Sequence, residues 1–556
     1  MQRVLLPAIL VLAIFLRFYQ LSAADVISDE AMIAFRSVGY IDYLASPNQP
    51  TTWEQFSGIV PAWAHLSFHD HPPLTFAVQW LSFKIFGVNN FALRFPLALA
   101  GVASVYLVYL ITRKLFHETA ALTAAALVAI AAPTVWVSRI GLQESLLIFL
   151  ALLAVYWYRR ALDDHRFLPA VGFALGLGIL TKYTIIAVAL PLLLHFFVYR
   201  RDYLRLRTFW LGGLFFGLLS LPVVVYNAML YRMTGHFDLQ LSYLLGQKVP
   251  EWQSLPGKEQ IGSLPERLLH YWTNLSGVWS WPALAIIILS LVLFVWLWFT
   301  SADPESSYTL IGLLVLSWGG MLLFIGPSTR FLAPLAVWLL IVVAVVVTSL
   351  RSSFPPLRYG LLLVGAGLLI FELLFTVQTV IVSRPRGLPG LAYAPLLRSD
   401  LEHWGYANLD SYLGKALSGK RPALLPNVRY PFLTRLQAPA AARMERAGWE
   451  PAPLLIIYDT NLYNLGALWA LHRRLVYDGW PIITADTYLA DIEHWKQAGV
   501  RDYLFIRLEQ GMLSEPVAEQ TTGAAGLSAQ LQVQGVPPTG IFSPRLSANG
   551  FAVYRW

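Results

Sequence analysis

The chain has 556 residues, of which 57% are hydrophobic and 13% charged, with 20 Trp and no Cys. Soluble domains carry roughly 45–50% apolar and about 25% charged residues, so an ordinary cytosolic enzyme is excluded and a polytopic membrane protein is the class that fits. The formal charge of +8 does not point to nucleic acid, because the basic residues stand in short runs between apolar stretches, as topology signals do. Absence of Cys removes disulfides, thiolate metal sites and Cys nucleophiles together.

A span needs about 20 mainly apolar residues. Taken in order, such segments occupy 4–19, 94–112, 119–138, 145–158, 167–181, 184–199, 209–230, 279–300, 308–326, 331–350 and 359–382. The apolar excess fades after Ser383. This predicts a transmembrane domain over 1–382, with outer loops at 20–93 and 231–278, and an extracytoplasmic soluble domain over 383–556. The run after Met1-Gln2-Arg3 lacks a convincing cleavage site and reads as an uncleaved first span.

Segment 71–87 decides the topology. His71, Thr75, Gln79 and Ser82 follow one another at helical spacing and make one polar stripe, which favours an amphipathic helix lying in the interface. With the N-terminus inside and 71–87 flat, Arg113/Lys114, Arg159/Arg160/Arg166, Arg200/Arg201/Arg205/Arg207 and Arg351/Arg358 all fall in cytoplasmic loops, as the positive-inside rule requires. A spanning 71–87 would break the rule at each of them. The expectation is eleven spans with the C-terminus outside, in the cell membrane.

This topology gathers the chemically useful residues on the outer face. Ile27-Ser28-Asp29-Glu30 reads either as a helix start, with Ser28 as N-cap and two acids in the first turn, or as carboxylates held at the membrane surface to accept a hydroxyl proton. A helix start would also fix the direction of those carboxylates, so the two readings are compatible. In Phe68-His69-Asp70-His71-Pro72-Pro73, His69 and His71 are weak candidates for metal ligands, with no third well-spaced ligand visible. The other reading is a rigid Pro-Pro turn that presents His71 to a phosphate or sugar, and two exposed loop histidines is the plain alternative. Arg94, Arg139, Glu144, Lys182 and Arg330 stand at outer ends of different spans, where each is either a snorkelling anchor or part of a shared polar cavity. Arg and Lys together suit an anionic phosphate.

These residues resemble the polyprenyl-phosphate-dependent glycosyltransferases of the GT-C fold, with protein O-mannosyltransferases and lipid A aminoarabinose transferases as the nearest likenesses. The resemblance rests on the order Asp29-Glu30, His71-Pro72-Pro73-Leu74, Gly87-Val88-Asn89-Asn90 through Arg94-Phe95-Pro96, Arg139 with Gln143-Glu144-Ser145, and Leu180-Thr181-Lys182. It implies a polytopic α-helical membrane protein that moves a sugar from a polyprenyl-phosphate donor to an acceptor hydroxyl by one inverting displacement. Asp29 would be the base or acceptor-orienting group, Arg94 would lie near the donor phosphate, and Lys182, His71 or Arg330 would assist. Lipid A transferases have Asp where this chain has Glu144, a departure that leaves the acceptor open among a protein, a glycolipid and a polysaccharide. No cofactor beyond the lipid-linked donor is implied, and a divalent metal stays open. The partners expected are the lipid-linked donor, the acceptor and membrane lipids.

In the outer loop, Leu264 to Trp272 is expected to form an interfacial helix after Pro265, and Asn274-Leu275-Ser276 fits a glycosylation acceptor. In the tail, Leu454–Tyr458 and Tyr503–Ile506 read as buried strands, with helices over Asn464 to Arg474 and Ala490 to Gly499, giving a small α/β domain. Asp459, at a strand end, reads either as a functional acid or, as expected here, in a capping or turn role. The rival functional class is a secondary transporter or flippase, whose usual internal repeats and midplane sites are not evident here.

Overall fold

A computed structural model gives the fold, and it describes residues 2–44, 50–56, 59–247, 249, 262–301, 307–353, 358–381, 403–424, 430–462, 464–509, 512 and 523–556. The expected boundary at Ser383 and the middle of the outer loop lie outside the described residues. The helices of the N-terminal two-thirds run α1 (Gln2–Phe18), α2 (Ser28–Gly39), α3 (Leu74–Phe86), α4 (Asn90–Leu115), α5 (Glu118–Ile130), α6 (Ala132–Arg139), α7 (Glu144–Ala161), α8 (Leu168–Thr181), α9 (Ile186–Tyr199), α10 (Arg207–Thr234), α11 (Leu239–Leu244), α12 (Leu264–Val278), α13 (Trp281–Thr300), α14 (Ser307–Ile325), α15 (Leu332–Ser353) and α16 (Arg358–Thr376). The chain forms two compact units. The first comprises Met1–Leu21, Ser46–Gln49 and Ala62–Arg398, and the second Ser22–Ala45, Pro50–Pro61 and Ser399–Trp556.

In the first unit a helix lies over every apolar segment read from the sequence. Among the described residues, six helices are long and apolar enough to cross a membrane, or seven if α5 and α6, bent by 55° at Ala131, count as one. Val4–Phe18, Leu74–Phe86, His165–Thr181 and Tyr183–Tyr199 are shorter apolar helices. The break between α5 and α6 falls one residue before Ala132-Pro133, where Pro suits the first turn of a new helix. The Ile130 carbonyl at that break accepts from Thr376 Oγ1 at 2.6 Å.

Apolarity sorts these helices by depth. The segment Thr329–Arg351 is 89% buried and apolar on all sides, which is the mark of a central helix, whereas Arg207–Thr234 is 17% buried and turns Trp210, Leu214, Leu218 and Leu221 outward. Helices α8 and α10 approach at glycines. A Cβ on Gly172 would stand 1.9 Å from the Gly212 carbonyl oxygen, so this close crossing needs small residues on both sides.

Helix α3 runs against the usual amphipathic pattern. Its polar stripe, Thr75, Gln79 and Ser82, is buried, while Trp80, Leu81, Ile85 and Phe86 are exposed. Gln79 donates to the Gly141 carbonyl at 2.8 Å and Ser82 to the Ala92 carbonyl at 2.5 Å. The stripe is thus spent on the protein, and the apolar face is left outward.

The second unit is built on a five-stranded sheet of order β4-β3-β5-β7-β6 with a separate parallel pair of β1 (Lys420–Pro422) and β2 (Glu450–Ala452). Strands β3 (Leu454–Tyr458), β4 (Ile482–Thr484) and β5 (Asp502–Leu508) are parallel, with Ile456 opposite both Ile482 and Leu504. Strands β7 (Ala548–Arg555) and β6 (Thr539–Ser543) extend the sheet as an antiparallel hairpin. Leu454 to Ile457 are all buried, as expected of a parallel strand covered on both faces. Residues of α17 (Tyr406–Ala416) and the π-helical turn Leu468–His472 cover one face; α21 (Ala485–Ala490) and α23 (Gly523–Val533) cover the other. The helix expected over 464–474 is resolved into α19 (Asn464–Ala467), that turn, and α20 (Arg473–Asp478). The last expected helix is only α22 (Ile492–Gln497). Asp459 accepts from the Asn461 and Leu508 amides, the turn role expected of it.

Helix α18 (Pro431–Arg446) carries Gln437, which donates to the Leu475 carbonyl at 3.0 Å. Residues 22–44, near the N-terminus, are part of this unit. Asp25 accepts from Gly405 N at 2.9 Å and Ala407 N at 2.7 Å, and the Tyr477 hydroxyl donates to the Phe35 carbonyl at 2.7 Å. Burial pushes the Asp25 carboxyl up to about 6 against the pull of those backbone donors.

Candidate active site

The charged centre of the first unit is made where two helix pairs are interrupted. Helix α6 ends at Arg139, and α7 starts at Glu144, whose carboxylate in the first turn suits the positive end of the helix dipole. Helix α8 ends at Thr181, Lys182 takes an extended conformation, and a 3-10 turn over Tyr183–Ile185 leads into α9. These breaks bring Lys182 Nζ to 2.7 Å from Glu144 Oε1, with 5% and 1% of the two side chains exposed. Arg330 Nε, on the turn before α15, is 3.7 Å from the same oxygen, and its side chain is 25% exposed. The Phe331 ring lies 4.1 Å from Lys182 Nζ and 5.2 Å from the Arg330 guanidinium. Two cations thus share one carboxylate. The second carboxylate oxygen, Oε2, is buried without a hydrogen-bond partner among the described residues. Lysine and arginine side by side beside an aromatic face are groups suited to a phosphate.

A second cluster stands at the start of α3. His71 Nδ1 is 3.0 Å from Asp70 Oδ2 and His69 Nδ1 3.9 Å from Asp70 Oδ1, with His69 and Asp70 buried and 14% of the His71 side chain exposed. Phe68 stacks on Phe76 with ring centroids 3.7 Å apart, which seats this turn against α3. Among the described residues no three His, Cys, Asp or Glu side chains gather as a metal site, so the structure brings no third ligand to His69 and His71. They are also not two exposed loop histidines, since His69 is fully buried.

The loop after α10 holds this turn. Leu239 N donates to the His69 carbonyl at 2.8 Å, and Gln240 Nε2 to the Asp70 carbonyl at 2.9 Å. Asp238, fully buried, accepts from the Tyr183 hydroxyl, from Asn227 Nδ2 at 2.9 Å and from Leu241 N at 2.9 Å. Burial raises its carboxyl above the usual range, although these donors pull the other way.

Arg94 and Arg139 both donate to backbone carbonyls near the end of α1. Arg94 is fully buried in α4 and donates to the Leu21 carbonyl at 3.0 Å. Arg139 donates to the carbonyls of Leu16, Arg17 and Tyr19 at 3.0, 3.3 and 2.9 Å. Both side chains serve the unsatisfied carbonyls at and beyond the C-terminal end of α1, a position that favours cations. Arg17 works from α1 in the opposite sense, donating to Ala129 O at 3.0 Å and Val128 O at 3.2 Å at the α5–α6 break. Arg17, Asp70, Tyr183, Asn227 and Asp238 were not evident as a set from the sequence. The signal that was available for Arg17 was a charge inside the last turn of an apolar segment.

Asp29 and Glu30 lie in the second unit, in the first turn of α2. The N-cap position falls on Ile27 with no side-chain cap, which corrects the reading of Ser28 as the cap. Ser28 and Tyr40, at the two ends of α2, have φ of +53° and +52°, a left-handed backbone that costs a non-glycine residue about 1 kcal/mol or more. Glu30 is buried and Asp29 half-buried. Arg36, on the same helix, pairs with Asp42 at 3.2 Å with both side chains buried.

In the loop before α13, α12 starts at Leu264 behind a Ser263–Glu266 capping box and continues to Val278, six residues beyond Trp272. Asn274, within this helix, donates to the Pro327 carbonyl at 2.5 Å, so its amide already has a structural partner.

Residues 70–226 match the family described as Dolichyl-phosphate-mannose-protein mannosyltransferase. Two curated relatives from Bacillus subtilis (strain 168), YkcB and YycA, both carrying a provisional mannosyltransferase name, are 36% and 34% identical over 131 residues, which is 23% of this chain. The matched stretch spans 18% and 19% of those relatives' own lengths. The fold is similar to that of ArnT from Cupriavidus metallidurans bound to undecaprenyl phosphate, with a TM-score of 0.55 at 12% identity over 99% of this chain and 97% of that one. The apo state of the same protein gives 0.52 over the same shares. The family match includes Asp70, His71, Arg94, Arg139, Glu144 and Lys182, and excludes Asp29, Asp238 and Arg330. Residues 70–226 are thus similar to the mannosyltransferase family, and the fold of the whole chain is similar to that of ArnT.

Proposed function

We propose that the protein is a membrane glycosyltransferase that takes its sugar from a polyprenyl-phosphate donor and transfers it to an acceptor hydroxyl on the outer face of the cell membrane. The observation that carries this reading is the buried Glu144–Lys182 pair with Arg330 partly open beside it. It places a lysine and an arginine together, the pair of side chains suited to a phosphate. Lys182 and Arg330 take the donor phosphate, and His71, held by Asp70, adds a third donor to its oxygens.

The chemistry asks little else of the protein. Asp29 accepts the proton of the acceptor hydroxyl, with Glu30 beside it. The hydroxyl oxygen forms its bond to the anomeric carbon as the bond from that carbon to the phosphate oxygen breaks, and the configuration inverts. Polyprenyl phosphate leaves with the bonding electron pair, and the fixed cations stabilise the charge that develops on it. Holding donor and acceptor in line supplies a large share of the rate. Arg94 and Arg139 contribute by fixing α1 against α4 and α6 at the edge of the donor site.

The same reading sets the protein in the membrane as eleven spans with a cytoplasmic N-terminus, over residues 1–382, and an extracytoplasmic C-terminal α/β domain from residue 383. Helix α3 has 13 residues and a length of roughly 20 Å, short of the ~30 Å hydrocarbon core, and its outward apolar face supports a place in the interface. The test is transfer of labelled sugar from polyprenyl-phosphate donors by the purified full-length protein. A wild type inert with a panel of sugars and acceptors, or full activity in Lys182→Ala, contradicts the proposal.

A further inference from the structure

The proposed phosphate ligands come from separate pieces of chain. Lys182 belongs to the α8–α9 junction, and His71 to the turn before α3, more than a hundred residues away. What ties the two pieces together in the first unit is one buried carboxylate on a third piece, the loop that leaves α10.

Asp238 is over-determined in its position. Its amide donates to Asn227 Oδ1 at 2.8 Å, and Asn227 Nδ2 returns a bond to Asp238 Oδ2 at 2.9 Å. This pairs the loop with the body of α10 through both ends of one amide. The other oxygen, Oδ1, caps α11 through Leu241 N at 2.9 Å. From this anchored place Asp238 accepts the hydroxyl of Tyr183, the residue that follows Lys182. The next two residues, Leu239 and Gln240, bind the carbonyls of His69 and Asp70. A buried carboxylate is costly unless its lone pairs are filled by donors, and here they are filled from three segments.

We propose that Asp238, with Tyr183, is the positioning device of the donor-phosphate site, fixing the separation of Lys182 from His71 so that both reach the same phosphate. This inference rests on the reading that Lys182 binds that phosphate. Neither residue touches the donor. Asp238 acts through Tyr183 on the junction carrying Lys182 and through the backbone of residues 239–240 on the turn carrying His71. Loss of either end of the Tyr183–Asp238 bond releases one ligand from its register with the other, and the two losses are the same loss.

The experiment is a double-mutant cycle on the full-length protein, with undecaprenyl phosphate as the probe, its binding constant read by titration of intrinsic fluorescence and the melting temperature recorded beside it. Tyr183→Phe and Asp238→Asn are each expected to weaken binding about tenfold. The double variant should be weakened by the same factor rather than by its square, because interacting residues are non-additive. In transfer assays the same variants raise the KM for the donor and leave the KM for the acceptor unchanged. Lys182→Ala is the control that separates the two claims. If Lys182→Ala weakens binding and the Tyr183 and Asp238 variants do not, the positioning inference is overturned and the phosphate reading stands. If Lys182→Ala binds as the wild type does, the phosphate reading fails and this inference with it. Independent, multiplying losses, or a lowered melting temperature at unchanged affinity, assign the network a purely structural role and also overturn the proposal.

Discussion

Replacing Lys182 by Met separates what the Glu144–Lys182 pair does for stability from what it does for function. Glu144 is 1% exposed, and the second cation beside it, Arg330, stands at 3.7 Å rather than 2.7 Å. Oε2 already lacks a partner among the described residues. Removing Lys182 therefore leaves a buried carboxylate with one weaker contact, and breaking a buried pair in this way costs about 3–5 kcal/mol. Replacing the pair by apolar groups of similar size is commonly near neutral, so Lys182→Met with Glu144→Leu should recover most of the loss. The assay is thermal unfolding in detergent followed by the fluorescence of the 20 Trp, where the single variant is expected to lose roughly 5–10 °C. Sugar transfer measured on the same samples should stay abolished in both. A single variant as stable as the wild type would refute the buried-pair argument, and a double variant that regains transfer would refute the assignment of Lys182 to the phosphate.

Other outcomes follow from the same physics. Gly172→Ala would drive a methyl group into the backbone oxygen of Gly212, 1.9 Å away, and should lower the melting temperature, whereas Gly217→Ala, with nothing within 4 Å of the added methyl, should not. In the second unit, Asp410 lies 2.7 Å from Arg473 and 2.6 Å from Arg474; burial works to raise its carboxyl, but the two guanidinium groups hold it below the usual range. Asp410→Ala leaves both arginines without that partner and should destabilise this unit by about 3 kcal/mol or more, read by limited proteolysis of residues 403–556. Asp25 and His472 set opposite pH dependences there. Asp25, raised to about 6 by burial, contributes stability that is complete below about 3.8 and lost as pH rises through about 6; His472, lowered to about 4 by burial, contributes stability complete above about 6.5 and lost as pH falls through about 4. Each shift corresponds to about 3 kcal/mol, so their slopes nearly cancel in the wild type. Asp25→Asn removes one of them, and that variant should become less stable between pH 6.5 and pH 4; equal behaviour of wild type and variant over this window contradicts the assignment.

Much of the membrane unit was legible because hydropathy alone marks spans: every apolar segment read from the sequence carries a helix, and the interruption at Lys182 was visible as a charge between two apolar halves. Glu144, Lys182 and Arg330 were legible as a group because buried charge is expensive and must be paired or used. The orientation of α3 was not legible. A polar stripe predicts an amphipathic helix but does not say whether lipid, water or protein takes the stripe, and here Gly141 and Ala92 take it. Arg94 and Arg139 looked alike to Lys182 in sequence, yet the open carbonyls at the end of α1 claim them, a demand that appears only once helix ends meet in space. Asp238 escaped notice because an acid in a polar loop has no distinguishing neighbours in sequence, and its partners Tyr183 and Asn227 come from two other segments. For the same reason nothing local announced that residues 22–44 pack with a domain almost 400 residues later, or that the hairpin of β6 and β7 completes the sheet: β3 and β5 declare themselves as unbroken apolar runs, while β6 has the exposed Thr539 and Gly540 of an edge strand.

The proposed transfer reaction has Asp29 as its proposed base. The most direct measurement is single-turnover transfer from mannosyl undecaprenyl phosphate and related polyprenyl-phosphate sugars by purified wild type and Asp29→Asn. The wild type is expected to release polyprenyl phosphate and form an inverted glycoside, while Asp29→Asn binds the lipid phosphate normally and transfers at least a hundredfold more slowly. Full transfer by Asp29→Asn, or retention of the anomeric configuration by the wild type, would contradict it.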